Sequence, residues 1–249
     1  MTTVLVTGAA GNIGAAIAEV LAQRGHTLVL ADHPDAAERL DETVGLCRGL
    51  GADAESVTFD VTDEPSVIAA VHGLRGLGGL VTSAGYQGVF MPVGSYPLDD
   101  ARRVLEVNVL GVMTVLAAAA RTMATARSGG AIVNVASMAG VSGAPNMPAY
   151  SASKAAAKDL APSGIRVNAV SPAFVGPGRM WDNQVAGQAA VGSQYYATDP
   201  AGVAAQMVGM VPMRRYGSAH EVATVVGFLL SEDASYVTGV NVEVSGGST

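Results

Sequence analysis

Short runs of apolar side chains alternate along this chain with longer stretches in which apolar positions recur at helical spacing. Thr3–Thr7, Thr27–Ala31, Ser56–Phe59, Gly79–Thr82, Ala131–Ala136, Arg166–Val170 and Val240–Val244 are β-branched and nearly unbroken in apolarity. That is the pattern of parallel strands covered on both faces. Between them, Gly14–Arg24, Glu64–His72, Asp99–Arg127, Tyr150–Ala161 and Ala219–Leu230 carry helical periodicity, the first stopped by Gly25. Repeated strand–helix alternation predicts a doubly wound α/β fold, a seven-stranded parallel sheet with right-handed crossovers and helices on both faces.

No linker, internal repeat or low-complexity tail interrupts the pattern, so residues 1–249 read as a single domain. One stretch departs from it. About 174–215, from Phe174 to Arg215, is rich in Gly, Pro, Gln and Met and shows no clear strand. It follows the carboxyl end of the sixth strand, where ligands bind in such sheets. It reads either as a substrate lid or as a partly helical surface excursion.

Composition narrows the functional classes. A formal charge of −7, with no run of Lys or Arg longer than two, argues against a nucleic-acid surface. The longest apolar run, Val109–Ala120, is shorter than the ~20 residues a membrane span needs. One cysteine, Cys47, cannot form an internal disulfide, which suits a cytoplasmic protein. The four histidines are dispersed, so no metal site is expected.

The first strand runs directly into Thr7-Gly8-Ala9-Ala10-Gly11-Asn12-Ile13-Gly14, and a helix follows. Glycines there let backbone N–H groups approach a pyrophosphate, and the helix N-terminus adds a favourable dipole. Asp32 ends the second strand, 18 residues beyond Gly14. This is the spacing of a Rossmann-type dinucleotide site. A carboxylate at that point accepts hydrogen bonds from ribose hydroxyls and repels a 2′-phosphate. NAD is therefore the cofactor expected, in preference to NADP.

Tyr150-Ser151-Ala152-Ser153-Lys154 places a phenol and an ammonium at i and i+4 on one helix face. A neighbouring cation favours phenolate and brings a tyrosine, whose ordinary pKa is ~10, towards an effective acid–base range. Ser137 ends the strand Ala131–Ala136, where a hydroxyl can hold a substrate oxygen. Asn108 lies in the long Asp99–Arg127 helix among apolar neighbours. It reads as a water-linked partner of Lys154 or as a satisfied core amide.

Taken together, these segments resemble the short-chain dehydrogenase/reductase family. The matching pieces include Thr7–Gly14, Asp60-Val61, Ser83-Ala84-Gly85, Glu106–Val109, Ser137, Tyr150–Lys154, Gly164–Asn168 and Thr238-Gly239. The resemblance implies hydride transfer between a nicotinamide cofactor and an alcohol or ketone, with Asn108, Ser137, Tyr150 and Lys154 as the catalytic tetrad. It implies cofactor contacts from Gly8, Asn12, Ile13, Gly14, Asp32, Asp60, Val61, Ala84, Gly85 and Val175, as well as Tyr150 and Lys154. It also implies a homo-oligomer, dimer or tetramer. The family's usual glycine is Asn12 here, and its usual Asn-Ala-Gly is Ser83-Ala84-Gly85. Between Lys154 and Gly164 the chain is shorter than the family pattern by about eight residues, ~12 Å of helix.

A narrower likeness is to bacterial NAD-dependent xylitol dehydrogenases. It rests on Gly85–Gly88, Ala136–Val141, Pro145–Met147, Gly176–Gly178 with Met180-Trp181, Val191–Tyr195 and Val211–Gly217. This implies oxidation of a small polyol, with Gln87, Met138, Asn146 and Trp181 as candidate substrate contacts. A ketone or 3-oxoacyl reductase using NAD(P)H, and a non-catalytic NAD-binding sensor, are the alternatives on the same scaffold.

Overall fold

The computed structural model describes residues 2–126, 129–142, 144–147, 150 and 165–248. Lys154, and all of the Tyr150–Ala161 helix except its first residue, lie outside the described residues, as does the shortened stretch up to Gly164.

Among the described residues there are seven strands: β1 (Thr3–Thr7), β2 (Thr27–Asp32), β3 (Ala54–Thr58), β4 (Leu77–Thr82), β5 (Gly130–Val135), β6 (Ile165–Pro172) and β7 (Asn241–Val244). They form one parallel sheet in the order β3-β2-β1-β4-β5-β6-β7. The expected doubly wound Rossmann-type sheet is the one observed. The described helices are α1 (Asn12–Gln23), α2 (Ala37–Gly49), α3 (Glu64–His72), α4 (Leu98–Leu105), α5 (Val112–Ala126), α6 (Ala139–Ser142), α7 (Arg179–Val191), α8 (Pro200–Met210) and α9 (Ala219–Leu230).

The pleat sorts the strand residues into two cores. Val4, Val6, Leu28, Leu30, Val81, Val133 and Val170 face α1, α2 and α9. Leu5, Val29, Ala31, Leu80, Ile132 and Val167 face α3 and α5. Thr82 Oγ1 donates to Asn134 Oδ1 at 2.8 Å, a polar brace between β4 and β5 inside the apolar layers. Arg166 on β6 donates to the carbonyls of Leu229, Leu230 and Ser231, covering the carboxyl end of α9.

Most element bounds differ from the sequence expectation by one or two residues, and three differences have a clear physical origin. α2 is an additional helix whose buried stripe is Leu40, Thr43, Val44 and Cys47. Burial, with Glu19 nearby, pushes the Cys47 thiol up to about 11, so it is inert packing. β3 begins two residues earlier than Ser56, because it is an edge strand with exposed Glu55 and Ser56. The expected Asp99–Arg127 helix is interrupted at Glu106–Gly111 by a wide π turn between α4 and α5. Leu98–Thr125 is long and apolar enough to cross a membrane by length and composition. Val104, Val112, Val115, Leu116, Ala119 and Met123 from this run are buried against the protein interior.

Candidate active site

Strand order reverses between β1 and β4, and above that point the loops leaving the two strands part. This is the place in a doubly wound sheet where a crevice opens. A cleft of about 1350 Å³ occupies it and extends over the carboxyl ends of β5 and β6.

Its first wall is the turn between β1 and α1. Gly8 sits at φ +70, and a Cβ there would lie 2.5 Å from the Ala84 nitrogen; one on Gly14 would lie 2.1 Å from the Gly8 oxygen. Only glycine fits either position, so the turn closes tightly and presents main chain to the cleft. Asn12 begins α1, lines the cleft and donates through Nδ2 to the Pro177 carbonyl at 3.1 Å. Asp32 at the end of β2 accepts from the Ala10 and His33 N–H groups, each at 2.8 Å. Those two bonds fix the carboxylate beside the turn. Because a carboxylate accepts about four hydrogen bonds, capacity remains for a ligand.

Asp60 accepts from the Thr62 N–H at 2.9 Å and hydroxyl at 2.8 Å. Partial burial opposes its ionisation, but Thr62, His33 and Arg103 together hold the carboxyl below the usual carboxylate range. Ile13, Val61, Ala84, Gly85 and Val175 also reach the wall. Every residue expected to touch the cofactor thus lies on one cleft, apart from Lys154, which is outside the described residues.

Towards β5 the wall changes character. Ser137, Met138 and Tyr150 line it together. Burial raises the Tyr150 phenol above its ordinary value, and a hydrogen bond with the Ser137 side chain opposes that rise. The direction is opposite to the one expected from a neighbouring cation, because among the described residues desolvation is the larger influence. Ser137 also accepts from the Ala139 N–H at 3.2 Å.

Asn108 does not reach the cleft. It is buried at the π turn, and its side chain brackets the Tyr86 main chain, Oδ1 accepting from Tyr86 N at 2.7 Å and Nδ2 donating to Tyr86 O at 2.8 Å. Its side-chain amide thus serves the backbone of the segment that carries Gln87 to the wall.

Of the four candidate substrate contacts, Gln87 and Met138 line the cleft, and two do not. Asn146 is buried at φ +60 and donates to Gln188 Oε1 at 2.8 Å and Ser193 Oγ at 3.2 Å. Trp181 is buried beneath α7, with ring centroids 6.0 Å from Phe174 and 5.3 Å from Tyr216. Both side chains went into internal packing, and neighbours of theirs took the wall. Arg179, Met180, Asn183, Gln184 and Gln188 of α7 face the cleft instead.

Sequence reasoning also missed Asp100. Its carboxylate accepts from the Tyr86 hydroxyl at 2.8 Å, the Tyr96 hydroxyl at 2.7 Å and the Val89 N–H at 3.0 Å. Partial burial opposes its ionisation, but those three bonds and Arg103 hold it below the usual range. Asp100 ties together the loop after β4, over which the sequence shows only scattered polar residues.

A short-chain dehydrogenase family model described as enoyl-(acyl carrier protein) reductase matches residues 8–249. The chain is 38% identical to cis-4-hydroxycyclohexanecarboxylate dehydrogenase of Sinomonas cyclohexanicum, over 98% of this chain and 95% of that protein. It is 34% identical to L-2,3-butanediol dehydrogenase of Corynebacterium glutamicum, over 98% and 96%. Among solved structures, an NAD+-bound xylitol dehydrogenase superposes with a TM-score of 0.94 at 50% identity, covering 99% of this chain and 98% of that one. With the family model spanning all but the first strand, and both sequence and fold agreeing along the whole length, this protein is a member of the short-chain dehydrogenase/reductase family of oxidoreductases.

Proposed function

We propose that this protein is an NAD-dependent dehydrogenase that interconverts a secondary alcohol of a small polyol, such as xylitol, with the corresponding ketose. The observation that carries the reading is the hydrogen-bonded pair of Ser137 and Tyr150 on the wall of the cleft that also holds Asp32 and the glycine turn.

The residues fit a dinucleotide. A Cβ at Gly8 or Gly14 would fill the cradle, and the glycines leave main chain there. The Gly8–Gly14 turn, with Asn12 and Ile13, would hold the pyrophosphate at the start of α1. Asp32 would hold the adenosine ribose, Asp60 and Val61 the adenine, Ala84 and Gly85 the ribose edge, Val175 the carboxamide, and Lys154 the second ribose. When bound, the nicotinamide ring supplies or accepts the hydride.

The chain's own groups handle the proton. Ser137 holds the substrate oxygen, and Tyr150 takes the alcohol proton during oxidation or returns it during reduction. Burial favours the protonated phenol. Lys154, four residues further along the chain, would favour release of the proton. Asn108 acts behind the wall by fixing Tyr86. Gln87 and Met138 would meet the substrate. Residues 174–215 form the lid of this single domain, a reading supported by α7 lining the cleft. The enzyme works as a homo-oligomer in the cytoplasm; exposed Leu105, Leu110 and Met113 along α4–α5 support the association.

The test is an absorbance assay of NADH formation with xylitol and other C4–C6 polyols, run beside NADPH oxidation with ketones and 3-oxoacyl substrates. Polyol oxidation with NAD, and a preference for NAD over NADP, are expected. Turnover confined to NADPH and ketones would replace the polyol reading, and NAD binding with no turnover anywhere would favour a sensor.

A further inference from the structure

Three segments distant in sequence meet beneath the alcohol side of the cleft. The first is α7, whose Gln188 is almost fully buried although it reaches the cleft wall. Its amide oxygen accepts from Asn146 Nδ2 at 2.8 Å, and its amide nitrogen donates to the Pro145 carbonyl at 2.8 Å. The second is the Pro145–Met147 turn, with Asn146 in the left-handed region. The third is the loop after β4, where the Met91 N–H donates to the Asn146 carbonyl at 2.9 Å. One turn of α7 also presses on that loop, because a Cβ at Gly187 would lie 2.4 Å from the Phe90 ring.

The turn ends at Met147, three residues before Tyr150. Met147 and Tyr150 are buried in one cluster with Val104, and Tyr86 and Phe90 pack against it. A displacement of α7 is therefore passed through Gln188 to the Pro145–Asn146 turn, and from there through Met147 to the phenol.

We propose that Gln188 is a positioning residue: its two-point amide clamp on Pro145 and Asn146 makes α7 and the Tyr150 support one rigid body, so that the bound alcohol is oriented by both together. This rests on the reading of Tyr150 as the acid–base group. The physical need is familiar from intramolecular chemistry. A misplacement on the order of 1 Å at the reacting centre can cost ~100-fold in rate. A clamp through two amide hydrogen bonds, one of them buried, resists such drift better than apolar contact, which is non-directional.

Three variants separate positioning from plain structural support. Gln188→Leu keeps the bulk and removes both bonds. Its kcat for the polyol should fall tenfold or more, while the NAD dissociation constant stays within twofold. Gln188→Glu supplies a chemical rescue. A protonated carboxyl can both donate to Pro145 O and accept from Asn146, whereas the carboxylate can only accept. Activity relative to wild type should therefore be highest at low pH and decline as the pH rises. Arg179, Tyr86, Tyr150 and Tyr196 also line this side of the cleft, but they are common to both proteins and so largely cancel in the ratio. Gln188→Asn, one methylene shorter, should behave like the Leu variant.

Hydrogen exchange of the free protein gives a readout that needs no substrate. The Leu variant should lose protection at Met91 and along Arg179–Val191, with β1 and β4 unchanged. Unchanged exchange in those segments, or a flat pH ratio for Gln188→Glu, overturns the clamp even if polyols are oxidised. A wild-type enzyme inactive on polyols would instead remove the substrate reading and leave the exchange result to stand on its own.

Discussion

From Gly8 to Asp32 the cleft is walled by main chain, whereas from Tyr86 to Gln188 it is walled by side chains reaching across long sequence distances. In the first region the contacts are glycine against backbone and N–H groups on one carboxylate. In the second, Asn108 holds Tyr86 from 22 residues away and Asn146 holds Gln188 from 42. Main chain suits what every turnover would share, the pyrophosphate of a dinucleotide cofactor, and needs little beyond small residues in the right places. Side chains recognise what varies. The difference explains why a sequence motif locates the one half and only approximately locates the other.

Removing the phenol gives the largest expected effect and confines it to the side-chain half. Tyr150→Phe should lower kcat by roughly 10²–10⁴ through loss of acid–base catalysis. The NAD dissociation constant, measured by titration, should remain nearly unchanged. A comparable loss of NAD binding would mean that the two halves are not separable.

Gly8→Ala attacks the main-chain half. The positive φ and the 2.5 Å approach to Ala84 should together cost about 3 kcal/mol. Such a loss lowers Tm by roughly 6–12 °C in a domain of this size. NAD affinity should fall with it. Trp181, the single tryptophan, packs with Phe174 and Tyr216 and should keep its fluorescence maximum below the transition. A shifted maximum would show that the turn and this aromatic cluster are coupled more tightly than the contacts indicate.

The smallest effect concerns the joint between lid and core. Glu221 pairs with Arg215 at 2.6 Å and closes a capping box with Ser218 at the start of α9. Arg215 and the Ser218 N–H lower its carboxyl to about 2. Because the folded value is depressed, the stabilisation is present above the unfolded value of ~4.3 and is lost as pH falls towards 2. The pair is largely exposed, so the effect is modest. Glu221→Gln should lower Tm slightly at pH 7, with the difference from wild type shrinking as pH falls towards and through about 2, by thermal denaturation across that range.

The parallel sheet was legible in the sequence because its interior strands are buried on both faces and hence continuously apolar. The helix α2 was not, although Leu40, Val44 and Cys47 stand at helical spacing; a Pro-Asp turn before it and a charged outer face hid the stripe. The helices after β6, α7 and α8, carried readable signals too. Asp199 caps α8 directly before Pro200, and Gly192 ends α7 in the left-handed conformation. What local pattern did not carry was the side chains' orientation: Asn146 and Trp181 turned inward because Gln188, Phe174 and Tyr216 offered partners that only the folded chain brings near.

The strand order has a consequence for how the protein is made. Of the seven described strands β1 is synthesised before the others, yet it ends in the middle of the sheet between β2 and β4. As the chain leaves the ribosome, β1, β2 and β3 can pair before residue 77 exists, so the adenosine end of the cleft takes shape first. Until β4 emerges, the far edge of β1 carries unpaired N–H and C=O groups, a template for any other extended strand. The nascent chain is therefore most exposed to mispairing in the interval between β3 and β4, and α3 is the only helix synthesised within it.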